Sequence, residues 1–359
     1  MDQRITFRDC YLEQSGDTLA AGSAAFRRTW KITGAGLIPQ TLENARTGEN
    51  LVHPEEESLS PADLPQGEAA GKLSLSGGKD DDYGFALPHL RAALTIDYEK
   101  FSVRYEFNIY PELPILRTRM FLRGCTEAPL RTVVRLDFLS FAEKHCEWES
   151  ISLRAVTDSH NNLVRKSGGL FYCNEADKVP GNLLRIHRTI QNDGVILIRE
   201  APALEEQVRW IGSDFIVFHS RVAAVAAGLD PLEDGEEWVP LYGSAVVLYE
   251  GGDLAFAKAL HTYWEARHRF RPGFDGAVFS NTWGDDTGGR NIREDFLEKD
   301  ISAAAEMGVS QYQIDAGWDT GAQDKKTGRS YWTINRAAFP EDFRPFDALA
   351  EKLGVTPGV

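Results

Sequence analysis

The chain has 359 residues, 42% hydrophobic and 26% charged, an ordinary globular composition long enough for about two domains. With 39 basic against 54 acidic residues the net charge is −15, which repels a phosphate backbone and argues against nucleic-acid binding. No run approaches the roughly 18 apolar residues of a membrane-spanning helix, so a membrane partner is not expected.

The opening Met1-Asp2-Gln3-Arg4-Ile5-Thr6 has no apolar h-region and no small-residue cleavage site. Cys10, Cys125, Cys146 and Cys173 are scattered, without Cys-x-x-Cys spacing, and read as free thiols in a reducing compartment. A cytoplasmic location is the expectation. Residues 1 to about 250 read as β-rich, without an internal repeat. Gly48 to Leu90, rich in Glu, Asp, Gly and Pro, reads as irregular loop with one or two short strands at most. Within it Asp80-Asp81-Asp82 reads as a solvated acidic turn, since no cation-ligand spacing follows. Thr95–Tyr98 leads into Phe101–Ile109, which is apolar at odd positions, the period of a half-buried strand. Strand-like runs follow at Leu116–Leu122, Thr132–Phe141, Val195–Arg199, Phe215–His219 and Ser244–Tyr249. Many strands with few helical stretches predict an antiparallel β-sandwich over residues 1–250.

The texture changes near Gly251. Gly252-Asp253 offers an N-cap, Leu254 to Phe270 has helical periodicity, and Pro272-Gly273 is expected to end that linker helix, in residues 251–272. His261 and His268 are two turns apart on it, too far for one metal ion, and read as solvated or locally paired. From residue 273 strand and helix alternate. Ala277–Trp283 is a short apolar run, and Asn291 with Glu294 resembles a capping box. Leu297, Ile301, Ala304, Ala305 and Gly308 follow on one helical face, with Gly308 at C′. Val309–Asp315 is the next strand, Phe346–Leu353 the next helix with Gly354 at its end, and Val355 begins a third strand. The alternation implies a parallel sheet or barrel over residues 273–359.

In such folds ligands bind at the carboxyl ends of the strands. Trp283 and Asp315 stand at two such ends. Alone, a strand-end Asp caps a turn about as readily as it binds a ligand, and a strand-end Trp is more often core. Their joint occurrence in Asn281-Thr282-Trp283 and Asp315-Ala316-Gly317-Trp318 raises the binding reading: a carboxylate for hydroxyls and an indole for the C–H face of a sugar ring. Gln311 and Gln313 share strand parity with Asp315 and make the same face polar.

Residues 277–359 resemble the start of the catalytic barrel of family 36 glycoside hydrolases, the α-galactosidase (melibiase) clan. The family has Asn-Thr-Trp ending strand one, Asp-Asp-Gly-Trp ending strand two, then a Trp segment and Phe-Pro. Here these read Asn281-Thr282-Trp283, Asp315-Ala316-Gly317-Trp318, Trp332 and Phe339-Pro340. Residues 1–270 resemble the family in architecture only. The resemblance implies a multidomain β plus α/β protein: an N-terminal antiparallel β-sandwich followed by the truncated start of a (β/α)8 barrel. It implies a retaining α-galactosidase acting on terminal α-galactosides or oligosaccharides, with no metal or organic cofactor, and leaves room for a homo-oligomer of the whole enzyme. Asp315 and Trp283 match substrate-binding positions, with Trp318 and Trp332 as further expected contacts. The catalytic nucleophile and acid/base, both aspartates in the family, are expected beyond Val359, so this chain is expected to be inactive by itself. Ala316 departs from the family's second aspartate, which keeps open an α-N-acetylgalactosaminidase, a galactosyl transglycosylase or a non-catalytic carbohydrate-binding protein.

Overall fold

The computed structural model describes residues 3–34, 36–56, 72–98, 101–124, 134–141, 145–153, 164–171, 177–201, 214–226, 237–284, 292–321, 326 and 332–359. The chain divides into two compact units, Met1–Arg269 and Phe270–Val359.

The first unit is built from antiparallel strands. β1 (Gln3–Phe7), β2 (Cys10–Ser15), β3 (Thr18–Gly22), β4 (Phe26–Thr33), β5 (Gly36–Asn44) and β6 (Glu49–Asn50) form a six-stranded meander in sequence order. After the two-residue β7 (Val52–His53) come β8 (Lys72–Asp80), β9 (His89–Asp97), β10 (Ser102–Ile109), β11 (Ile115–Arg123), β12 (Val134–Phe141), β13 (Cys146–Leu153) and β14 (Val164–Leu170). β15 (Asp177–Val179), β16 (Leu183–Arg188), β17 (Asp193–Glu200), β18 (Phe215–Phe218), β19 (Arg221–Ala226) and β20 (Val239–Glu250) complete the unit's strands among the described residues. They assemble into a nine-stranded sheet, β14-β13-β16-β17-β20-β11-β10-β9-β8, and a five-stranded sheet, β15-β18-β19-β12-β7. The inner faces of all three sheets share one core, in which Trp30 packs against Phe107 at 5.1 Å.

Charge pairs tie these layers together. Arg28 on β4 gives two hydrogen bonds to Asp137 on β12, at 2.6 and 2.5 Å, with side chains only 1% and 2% exposed. The other face of the nine-stranded sheet receives α1 (Asp253–Arg267), whose Phe256, Tyr263 and Ala266 pack over Ile196, Ile198, Ala245, Val247 and Tyr249. Glu200, at the end of β17, clamps this helix. Its carboxylate accepts bonds from Arg117 Nε and Nη2 at 2.7 and 2.8 Å, and from Tyr263 Oη and Arg267 Nη1, both at 2.6 Å. Burial pushes the Glu200 carboxyl up, but the two guanidiniums and the phenol outweigh it and draw it down to about 2. Gly243, directly across from Glu200, makes room: a Cβ there would stand 2.5 Å from Glu200 Oε2.

The strand runs read from the sequence are present; those at Thr95–Tyr98, Leu116–Leu122, Val195–Arg199 and Ser244–Tyr249 are two to six residues longer than expected, whereas Phe101–Ile109 loses its first residue and Phe215–His219 loses its last to a turn. Residues 132–133 of the run Thr132–Phe141 lie outside the described residues. Several expectations are corrected. The stretch Gly48–Leu90 holds a nine-residue strand, β8, paired along its whole length with β9. β10 is buried on both faces, not half-buried: Val103, Tyr105 and Phe107 enter the core, while Glu106 pairs with Arg91 and Asn108 contacts buried His89 on the other side. α1 ends at Arg267, well before Pro272. His268 turns extended and Arg269 N–H donates to Phe85 O at 2.7 Å, so pairing with another loop ends the helix. The acidic turn is locally satisfied, with Asp80 bonded to Arg91 and to Asp82 N–H, and His261 pairs with Glu265 one turn on. Cys10 and Cys146 are buried and take part in no disulfide among the described residues; Cys125 and Cys173 lie outside them.

The second unit alternates strand and helix: β21 (Phe279–Asn281), α2 (Glu294–Glu306), β22 (Gln311–Gln313), α3 (Arg344–Leu353) and β23 (Thr356–Gly358). The strands pair in parallel, with Asn281 beside Gln313 and Gln313 beside Gly358. Leu297, Ile301 and Ala304 of α2 and Phe346 and Ala350 of α3 cover Tyr312 and Ile314 in one core. Both helices stop where the sequence places glycine, with Gly308 at φ 84° and Gly354 at φ 70°. α2 starts at Glu294 with Arg293 as N-cap, so the Asn291 box is displaced; Asn291 itself lies outside the described residues. The expected strand Val309–Asp315 shrinks to three residues for a visible reason. Val309 N–H still bonds back to α2 at Ala304 O, and Asp315 N–H turns to the Thr282 side chain instead of the ladder.

Candidate functional site

The carboxyl ends of β21 and β22 carry the polar cluster. Three-residue strands leave little ladder to fix these ends, and side chains do it instead. Asn281 is the hub. Its Nδ2 donates to Gln313 Oε1 at 2.9 Å and to Asp315 Oδ2 at 2.8 Å, and its Oδ1 accepts Trp283 N–H at 2.7 Å. Thr282 Oγ1, on a buried residue, accepts the Asp315 N–H at 2.9 Å. Asp315 Oδ1 accepts the N–H of Ala316 at 2.7 Å. Each carboxylate oxygen of Asp315 therefore receives one protein donor and keeps acceptor capacity, on a half-buried residue. A partly desolvated carboxylate held this way accepts hydroxyl protons through charge-assisted hydrogen bonds.

The predicted site residues fall into two groups. Asp315 and Trp283 are brought together through Asn281 and Thr282. Trp283 is not in the strand but on the 3₁₀ turn Thr282–Gly284, and the residue is 47% exposed. Trp318 and Trp332 form a stack of their own, centroids 6.0 Å apart and 20° from parallel. Trp318 is only 9% exposed and meets Phe343 edge-on at 5.8 Å, so it serves the core and supports its neighbour. Trp332 is 69% exposed, in a left-handed backbone conformation at φ 49°, and offers the open ring face. Gly317, at φ 112°, turns the chain between Asp315 and this stack. Among the described residues no group of three or more His, Cys, Asp or Glu side chains is placed to hold a metal ion. Sequence reasoning missed Asn281 and Thr282 as members of the cluster. Their signal was the pairing register of two parallel strands, which strand parity within β22 alone does not reveal.

No protein-family model matches the chain, and no curated protein does. Solved structures do. The chain is similar to the GH36 α-galactosidase AgaB from Geobacillus stearothermophilus, with TM-score 0.62 and 11% identity over 95% of this chain and 55% of that one. It is similar to the α-galactosidase from Lactobacillus brevis, with TM-score 0.60 and 11% identity over 95% of this chain and 54% of that one. A variant of the GH36 α-galactosidase AgaA from Geobacillus stearothermophilus, solved in complex with raffinose, gives TM-score 0.61 and 12% identity over 95% and 56%. The chain thus has the fold of GH36 α-galactosidases over most of its length and spans about half the length of the enzymes it matches.

Proposed function

We propose that this chain is the front part of a glycoside hydrolase of the α-galactosidase type, and that the β21–β22 strand ends form part of its sugar site. The observation that carries the reading is Asp315: a half-buried carboxylate at the end of a parallel strand, held by Asn281 and Ala316 with acceptor capacity to spare, beside exposed Trp283. Asp315 accepts sugar hydroxyls, and Trp283 and Trp332 supply ring faces. The βαβαβ unit is the start of a (β/α)8 barrel. Retaining cleavage needs two carboxylates about 5–5.5 Å apart, and these come from later strands of the whole enzyme. The substrate is a terminal α-galactoside, and the protein works in the cytoplasm. Exposed Ala316 also leaves space for an N-acetyl group, which supports α-N-acetylgalactosaminidase as the second reading.

The test is Asp315→Asn in the whole enzyme. A hydrogen bond to a charged group is worth about 1.5–3 kcal/mol, so kcat/KM on an aryl α-galactoside falls at least about tenfold with the fold intact. Unchanged kcat/KM with a lower Tm would make Asp315 a structural cap. The 359-residue chain alone is expected to show no turnover.

A further inference from the structure

We infer that Asn281 is a positioning residue that sets where the Asp315 carboxylate stands. For its consequence in sugar binding the inference rests on the reading of Asp315 just given. The amide of Asn281 is fully committed: both Nδ2 protons go to acceptors on β22 and its extension, and Oδ1 takes the Trp283 N–H. A flipped amide would set an oxygen against Gln313 Oε1 and Asp315 Oδ2 and lose all three bonds, so the network fixes a single orientation. The anchor is rigid at its base, because Asn281 and Gln313 are direct partners in the parallel ladder. Asp315 lies beyond the last ladder residue, and among the described residues no ion pair holds its carboxylate; what orients it is Asn281 from one side and the Ala316 N–H from the other. The same amide shapes the turn that carries Trp283, so one side chain couples the carboxylate to the indole.

The Ala316 N–H reports the carboxylate directly, because it bonds to Asp315 Oδ1 at 2.7 Å. Spectra of ¹⁵N-labelled full chain are recorded for wild type, Asp315→Ala, Asn281→Ala and Asn281→Asp between pH 5 and 8. Asp315→Ala defines the shift of the Ala316 amide when its acceptor is gone. Asn281→Ala is expected to move that amide part of the way, at every pH. Asn281→Asp places two carboxyls within hydrogen-bond reach, where they share one proton. At low pH the protonated group donates to Asp315 as the amide did, and the Ala316 signal stays near wild type. As pH rises the shared proton leaves, the carboxylates repel and the signal departs. A residue needed only for packing would give a pH-independent change. Asn281→Asp also keeps the side chain's shape, so the pH series remains decisive if Asn281→Ala does not fold. In parallel, raffinose titrations are expected to weaken about tenfold in Asn281→Ala, with a loss in Asn281→Asp that grows with pH. The inference is overturned if Asn281→Ala leaves the Ala316 amide at its wild-type position, if Asn281→Asp behaves alike at all pH values, or if Asp315→Ala itself does not move that amide. If the Ala316 signals follow the expected course while Asp315→Ala binds raffinose like wild type, the positioning stands and the sugar-site reading falls.

Discussion

Replacing Glu200 with Gln tests how α1 is held to the nine-stranded sheet. The substitution keeps the volume and removes the charge that two guanidiniums share, those of Arg117 on β11 and Arg267 on α1. Its worth follows from the carboxyl itself. A fall from the ordinary 4.5 to about 2, at about 1.4 kcal/mol per unit, corresponds to roughly 3 kcal/mol of native-state stabilisation. The independent figure for leaving a buried charge uncompensated, about 3–5 kcal/mol, agrees once the partial exposure of Arg267 is allowed for. The folded value lies below the unfolded one, so this contribution is complete above about 4.5 and disappears as pH falls through about 2. Hydrogen exchange of the α1 amides gives the local opening free energy. Glu200→Gln is expected to lower it by about 3 kcal/mol at pH 7. Between pH 5 and 3 wild type is expected to lose part of this protection, while the variant lacks that component. A loss under about 1 kcal/mol at pH 7, or parallel pH profiles, would refute the clamp.

Asp137→Ala strands the Arg28 guanidinium between β4 and β12 and is expected to cost about 3–5 kcal/mol in urea unfolding. The double variant Arg28→Met with Asp137→Leu recovers most of that loss. Cys10 is fully buried and its thiol is pushed up to about 12 by burial and by Asp9, so iodoacetamide at pH 8 is expected to leave it unmodified until the chain unfolds, as read by mass spectrometry.

What the sequence disclosed depended on whether a residue's neighbours were local. β10, β11, β17 and β20 carry Val, Ile, Phe and Leu on alternating or continuous faces, and their periods announce them. β8, Lys-Leu-Ser-Leu-Ser-Gly-Gly-Lys-Asp, has poor strand propensity, yet it forms because β9 offers an edge and Gly77 lets the backbones approach. The first meander was legible only as general β texture, since strands such as Gln3–Phe7 mix charged and apolar residues. Asp315 and Trp283 could be placed just past the ends of β22 and β21 because strand ends are marked by local pattern. Asn281 could not, because its role exists only once residue 281 stands beside residue 313, and that register is a tertiary fact. The same holds for Glu200, whose partners come from β11 and α1, 83 and up to 67 residues away.

The two units differ in how their sheets are finished, and this fixes where the chain opens first. In the first unit β20 runs twelve residues between two hydrogen-bonded neighbours, and its buried stretch Gly243–Val247 is paired on both sides and meets core on both faces. In the second unit β21, β22 and β23 are three residues each, and β21 and β23 are sheet edges. Val278, just before β21, and Phe279, its first residue, are more than half exposed, as are Phe270 and Phe274 upstream, so most of their apolar area adds nothing to the unit's stability. With a net of about 1 kcal/mol per hydrogen bond and so few bonds to break, the amides of β22 are expected to exchange through an opening at least about 3 kcal/mol cheaper than that of β20. Limited proteolysis is expected to cut first between residues 268 and 276, leaving a resistant fragment that corresponds to Met1–Arg269. Equal protection of β20 and β22 would show that the α2–α3 core, with Leu297, Ile301, Tyr312 and Phe346 at its centre, stabilises the short parallel sheet as fully as the long ladders stabilise the first unit.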